Sequence, residues 1–499
     1  MKKATRWLAL ALTVALAVSA AVVPASAAAF RDVPAGHWAR AEIVQAVDSG
    51  LVQGVSADTF GLGRAMTRAA FTVVLCRFFG WELQSPAAGS YADNQDPNAW
   101  YYSAVETACA NGALTLQEKL FRPNDPITRE EMAVMLVRAL GYGPIAGLEL
   151  GLECPFDDAL TNRGYLTLAY HLGISRGTGE RIFSPDTTAT REQAVVMLMR
   201  VYQRWTTATA ERIGVARFSD DLSDLKGCGV VALAGPRMTA NGGLSALPEA
   251  ENARLAREAV RAGGAKALLG VSGGQSTLRA KPAQQAAAIA AQAAEYDGVF
   301  LDAEKLPESR AGALTNLVRE LKTALGDKLL IVAVEAPAVG KKAWGYEYGA
   351  LSRTADRLVL RAAAADTERG GYPILAPEPL EEAYFALATV AGEAEMSRCS
   401  LWLTTTGFGR ELPRGKTAPV YADGLESLLA DPLTKTYWSD RYGSAYLERG
   451  LADTSTVVWY HDGAAMAERM RLAAFFGLDS LCLGDLRQAR PAALAGLGK

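Results

Sequence analysis

A threefold internal repeat between residue 30 and about residue 205 constrains this chain more than any other feature, because a unit too small to bury its own apolar face must stack on its neighbours. Three Thr-Arg steps mark it: Thr67-Arg68, Thr128-Arg129 and Thr190-Arg191, with their arginines 61 and 62 residues apart. Each opens an apolar-periodic stretch, clearest at Met132, Met135, Leu136 and Leu140. Threonine is a good helix N-cap, and Thr128 with Glu131 has capping-box spacing. Ahead of each step stands an aromatic residue followed by an acid: Phe30-Arg31-Asp32 with Trp38, Tyr91-Ala92-Asp93 with Trp100, and Phe156-Asp157-Asp158. In the third unit Asp157 is taken as the opening acid, with no tryptophan beside it. A helical pattern then runs to a glycine turn at Gly50, Gly112 or Gly173, and on to a loop around Phe60, Phe121-Arg122-Pro123 or Phe183-Ser184-Pro185. Each unit therefore reads helix, loop, helix, over 30–85, 86–148 and 149–205.

Residues 1–29 have the form of an export signal: Lys2, Lys3 and Arg6, an apolar run from Leu8 to Val23, and the small-residue site Ala25-Ser26-Ala27. A secreted protein is expected, with no membrane span once the signal is cleaved. The formal net charge of −3 lacks the basic excess of a nucleic-acid binder. Six scattered cysteines form no Cys-x-x-Cys pair, and His37, His171 and His461 are the only histidines, so neither a zinc cluster nor a disulfide framework is expected.

After a short linker at 206–211 the pattern changes. Over 212–499, β-rich runs alternate with alanine-rich helical runs, among them Ile213 to Phe218, Ala265 to Val271, Val299 to Glu304, Leu329 to Val334, Arg357 to Ala362, Ser400 to Thr404, Thr456 to Tyr460 and Ser480 to Leu483. That alternation predicts a multidomain chain, an α-helical triplet followed by an α/β TIM-type (β/α)8 barrel. An open doubly wound sheet is the alternative. No Gly-x-Gly-x-x-Gly or Walker loop supports a nucleotide, and no cofactor is expected. In the run Tyr296 to Glu304, the pleat puts Phe300, Asp302 and Glu304 on one face, so the strand ends in two carboxylates where a barrel keeps its chemistry.

The repeats resemble the S-layer homology domain, which attaches exported bacterial proteins to the cell wall. The resemblance implies that Arg68, Arg129 and Arg191 pair with the anionic, often pyruvylated, secondary cell wall polymer, that Trp38 and Trp100 frame the sugar, and that Asp32, Asp93 and Asp157 belong to the same sites. The second half resembles glycoside hydrolase family 18, in its spore-cortex and wall-lysing branch. Asp297-Gly298 through Asp302-x-Glu304 matches the strand-four signature, Ser272-Gly273-Gly274 the end of strand three, and Val458-Trp459-Tyr460-His461-Asp462 the C-terminal block. By that resemblance Glu304 is the acid and then the base, the substrate's acetamide the nucleophile, Asp302 the group that orients it, and Asp297 a support behind them. Gly273, Gly274, Tyr460, Asp462 and Trp438 are the candidate substrate contacts, and the substrate is peptidoglycan or another N-acetylglucosamine glycan.

The sequence also departs from that family. Phe300 stands where a polar relay is usual, Ala363 and Ala364 replace a Tyr-Asp pair at the end of strand six, and Gly484 stands where a tryptophan floor is expected. Tyr372, Phe408, Trp438 or Tyr460 would have to substitute from another loop. Two expectations therefore stand side by side: a wall-anchored glycosidase, and a catalytically degenerate glycan-binding or structural surface protein.

Overall fold

The computed structural model describes residues 30–499 apart from 149, 207–210, 279–280, 342–343, 370–371, 414, 451–453 and 499. The expected export signal and most of the expected linker lie outside the described residues. The chain divides into two compact units, one reaching Thr206 and the other running from Thr207 to Lys499.

In the first unit the helices follow the repeat: α1 (Arg40–Asp48) and α2 (Arg68–Phe78), α3 (Tyr102–Ala110) and α4 (Arg129–Ala139), a four-residue α5 (Gly143–Ala146), then α6 (Arg163–His171) and α7 (Arg191–Thr206). Gly50, Gly112 and Gly173 follow the first helix of each pair at φ +70°, +77° and +67°, a left-handed turn that a side chain would strain. Thr67 and Thr128 cap α2 and α4 as expected, the latter in a full capping box with Glu131. Thr190 differs: its buried hydroxyl has no hydrogen-bond partner, and its N–H donates to the Gln193 side chain instead.

The three repeats close on one another. Met66 N–H donates to the Ala189 carbonyl at 3.0 Å, Ala189 N–H to Ile127 at 2.9 Å, and Ile127 N–H to Met66 at 2.8 Å. A second ring follows, from the N–H groups of Arg68, Arg129 and Arg191 to the carbonyls of Asp125, Thr187 and Arg64. Helix N-terminal donors that would otherwise be orphaned thus find acceptors in a neighbouring repeat. The phenylalanine loops lock the rings. Asp32 accepts the N–H groups of Phe60, Gly61 and Leu62, and Asp93 those of Phe121 and Arg122. In the third repeat this acid is Asp158, bound to Phe183 and Ser184, whereas Asp157 is an exposed partner of Arg181. The acid that reaches the loop is the one two residues after the buried aromatic, which corrects the expected Asp157.

Each repeat arginine then bolts the loop of the next unit. Arg68 Nε donates to the Phe121 carbonyl at 2.7 Å, Arg129 to Phe183 at 3.0 Å and Arg191 to Phe60 at 3.2 Å, each guanidinium lying 5.1–5.2 Å over the same ring. Arg68 and Arg129 are 6% exposed, so these side chains serve the fold first. Replacing one leaves a buried carbonyl unsatisfied. Arg129→Ala is expected to destabilise the repeat unit by about 2–3 kcal/mol, read as a lower urea midpoint for that unit's transition.

The second unit is a closed barrel of eight parallel strands: β1 (Glu211–Arg217), β2 (Val230–Arg237), β3 (Lys266–Gly273), β4 (Gly298–Ala303), β5 (Leu329–Glu335), β6 (Arg357–Arg361), β9 (Cys399–Leu403) and β15 (Ser480–Leu483). β15 closes the ring between β9 and β1. Helices α8 (Ala250–Ala262), α9 (Pro282–Gln292), α10 (Ala311–Leu325), α11 (Tyr348–Thr354), α12 (Leu380–Val390) and α14 (Gly463–Phe475) lie in the connections. Ile213, Leu268, Phe300, Ile331, Val359 and Cys482 are among the side chains of one buried barrel cluster.

Two insertions interrupt the alternation. A hairpin, β7 (Ala365–Arg369) and β8 (Tyr372–Ala376), follows β6. An antiparallel sheet in the order β11-β10-β14-β13-β12 follows β9, built from β10 (Gly407–Leu412), β11 (Ala418–Val420), β12 (Thr434–Ser439), β13 (Ser444–Gly450) and β14 (Ser455–Tyr460), with α13 (Ala422–Ala430). The run Thr456 to Tyr460, expected among the parallel βα units, is the centre of this sheet. Val457 and Trp459 pack into one cluster and Val458 and Tyr460 into another, so β14 is apolar on both faces just as a barrel strand is.

Candidate active site

The end of β4 is held from both sides. Glu304 N–H donates to the Gly273 carbonyl at 3.0 Å. The Tyr346 hydroxyl donates to the Ala303 carbonyl at 2.8 Å and accepts from Leu306 N–H at 3.2 Å, and Lys305 between them takes a left-handed φ of +45°. Glu304 is therefore presented on a braced turn, its side chain 43% exposed and 3.8 Å from Arg237. Gly273 and Gly274 serve this geometry. A Cβ at Gly273 would meet the Met238 and Thr277 side chains, and one at Gly274 the Glu304 carbonyl at 3.3 Å. They let the β3 loop approach β4, which is a supporting role.

Asp302 is paired. Both of its oxygens lie 3.2 Å from Arg361 Nη2, and Arg361 Nη1 donates to Glu335 at 3.0 Å. The same guanidinium stands 4.2 Å over the Trp402 ring. Trp402 in turn answers one departure in the sequence: a Cβ at Gly484 would come within 2.6 Å of its ring, so β9 supplies an indole beside the end of β15. Phe300 takes the expected face but is buried in the barrel cluster. Arg361, Glu335, Trp402 and Tyr346 are residues that sequence reasoning passes over. The first two have a legible signal, since each is a charged residue closing a buried apolar strand.

Several expected site residues lie elsewhere. Asp297 precedes β4 and so sits at the opposite end of that strand from Glu304, where it accepts from Arg261 and from Ala267 N–H at 2.8 Å. Desolvation opposes this ionisation, yet those hydrogen bonds hold its carboxyl below the usual range. It braces the base of the barrel. Tyr460 is buried among Leu425, Leu447 and Val458 beneath the Arg490 guanidinium, and Asp462 caps α14 by accepting from Ala465 N–H at 2.8 Å. Trp438 is half-exposed on the edge strand β12, opposite Ala445. Phe408 pairs across the sheet with Trp459, and the Tyr372 side chain lies outside the described residues. Among the described residues no group of three His, Cys, Asp or Glu could hold a metal.

A second polar centre lies behind β9. Glu378 is buried and accepts from Thr404 N–H at 3.0 Å and from the Thr404 hydroxyl, while Arg469 donates to its backbone carbonyl at 2.7 Å. Burial pushes the Glu378 carboxyl up to about 7, against the opposing pull of those hydrogen bonds and of Arg469 and Arg361. The folded barrel keeps this proton until about pH 7, whereas the unfolded chain releases it near 4.5, so folding takes up a proton between those values. The contribution is greatest below pH 4.5 and is lost as pH rises through 7, on the order of 3 kcal/mol in all. Denaturant midpoints of the barrel at pH 5 and pH 8 are expected to differ in that direction, and Glu378→Gln to reduce the difference.

Comparison with known proteins separates the two units. The model of the S-layer homology domain matches residues 29–72, 95–133 and 155–195. The repeats are three S-layer homology domains. S-layer protein EA1 of Bacillus anthracis is 33% identical over 191 residues, covering 36% of this chain and 21% of that protein. An endoglucanase of Bacillus sp. strain KSM-635 is 31% identical over 179 residues, 34% of this chain and 18% of its own length. The match thus spans about a fifth of those relatives. For the barrel, a chitinase from Chromobacterium violaceum superposes at a TM-score of 0.50 with 17% identity, over 58% of this chain and 98% of its own. The spore cortex-lytic enzyme SleL of Bacillus cereus superposes at 0.50 with 14% identity, over 58% and 73%. The barrel unit has the fold of the chitinase-like hydrolases. No helix among the described residues is long and apolar enough to cross a membrane.

Proposed function

We propose that this is a cell-surface protein whose S-layer homology domains hold it on the cell wall while its barrel hydrolyses a β-linked glycan containing N-acetylglucosamine. One observation carries the hydrolytic reading: Glu304 is an exposed carboxylate on a braced turn just past the C-terminal end of β4, with Asp302 two residues before it near the end of that strand. Glu304 would protonate the leaving glycosidic oxygen and then take a proton from the incoming water. The substrate's own acetamide oxygen would attack the anomeric carbon, with Asp302 beside it to favour the positive charge that develops. Full-length protein incubated with wall sacculi or N-acetylglucosamine oligomers is expected to generate new reducing ends. Glu304→Gln should lower that rate at least about 100-fold without changing the unfolding midpoint. Undiminished activity in this variant would remove the assignment.

A second reading, glycan binding without cleavage, draws support from Arg361. Its guanidinium covers a face of Trp402 on which a sugar ring could otherwise stack. That reading predicts saturable oligomer binding and no reducing ends.

For the anchor, the exposed surfaces are Trp38 and Trp100, 59% and 64% accessible. Arg68 lies against Glu131, which Arg122 shares, whereas Arg129 and Arg191 have no carboxylate within 4 Å among the described residues, which supports those two as partners of an anionic polymer. The protein is expected to co-sediment with walls and to be released when the secondary polymer is extracted. Trp38→Ala combined with Trp100→Ala should weaken retention by about tenfold while leaving the fold intact.

A further inference from the structure

Phe300, two residues before Asp302, is buried in the apolar barrel cluster, and the residues that follow β6, Ala363 and Ala364, carry no polar side chain. The structure puts a cation there. Arg361 reaches both Asp302 oxygens at 3.2 Å and Glu335 at 3.0 Å, with its plane over Trp402. Four strands, β4, β5, β6 and β9, thus fix one planar group. We propose that Arg361 is the positioning residue of the barrel site, holding the Asp302 carboxylate beside Glu304 in place of the absent polar side chains, with Glu335 as its anchor and counter-charge. This rests on the hydrolytic reading above.

The electrostatic sign supports it. A lone guanidinium beside a carbon that gains positive charge would raise the barrier. Two carboxylates against one guanidinium leave the cluster one negative charge in excess, which is the sign an oxocarbenium-like transition state requires. Geometry points the same way. The Arg361 side chain is only 18% exposed, packed against Trp402 and the two carboxylates. Its fork of five N–H groups holds two acceptors at once, which a lysine could not do with the same rigidity. Arg361 neither gives nor takes a proton in this scheme; the proton transfers stay with Glu304.

The test is steady-state kinetics of the full-length protein on a soluble N-acetylglucosamine oligomer, comparing wild type with Arg361→Ala, Arg361→Lys and Glu335→Gln, each checked for an unchanged unfolding transition. Arg361→Ala should lower kcat by about 100-fold with KM little changed, as expected when a reacting group is misplaced while substrate binding is retained. Arg361→Lys should recover part of the loss, and Glu335→Gln should lower kcat as well. Wild-type kcat in Arg361→Ala, or a rise confined to KM, would overturn the positioning role and leave the hydrolytic reading standing. A higher kcat in that variant would make Arg361 a plug and overturn the proposal equally. If wild type and every variant release no reducing ends, the hydrolytic reading and the proposal fall together.

Discussion

A strand buried on both faces can carry charge only where it leaves the core, and the barrel site depends on that constraint. Within the barrel, Phe300, Ile331, Val359 and their neighbours exclude water, so an ionised group halfway along a strand would be stranded without solvation. The ionised groups gather at the strand ends instead: Asp302 and Glu304 at β4, Glu335 at β5 and Arg361 at β6. Drawn together by adjacent strands, they must serve as one another's partners. Glu335 and Arg361 are paired in register at the ends of β5 and β6, and Asp302 lies two residues before that level on β4, within reach of the long Arg361 side chain.

Arginine does different work in the two units. In the repeats, Arg68, Arg129 and Arg191 satisfy phenylalanine carbonyls and lie over the same rings, joining donor, charge and apolar stem in one side chain. In the barrel, Arg361 faces two carboxylates and an indole. The repeat arginines make the fold continuous from one unit to the next. Arg361 ties β6 to the carboxylates of β4 and β5.

Much of the fold was legible because its signals are local. The Thr-Arg steps, the glycine turns and the alternation of strand and helix are each decided by a few neighbouring residues, and the structure places elements at all of them. Legibility failed where identity depends on what lies across space. Asp157 and Asp158 are adjacent, and only the position of the Phe183 loop decides which of them binds it. Thr456 to Tyr460 is apolar on both faces, and nothing within it tells a barrel strand from the centre of an inserted sheet. Asp297 shares a signature with Asp302 and Glu304, yet the length of a strand separates it from them. Arg361 and Glu335 were hidden for the opposite reason: they lie in separate runs and acquire meaning only when β4, β5 and β6 are side by side.

The backbone ring through Met66, Ile127 and Ala189 bears on how such a chain can change over time. A linear array of stacked repeats has two ends and can grow or shrink by one unit with little penalty. Here every donor in the ring already has its acceptor and every acceptor its donor, so there is no end at which to add. A fourth repeat would have to open the circle, and a deleted one would leave a donor and an acceptor of the ring without their present partners. Repeat number in this domain is therefore a closed count, and variation is confined to what each unit displays on its outer surface.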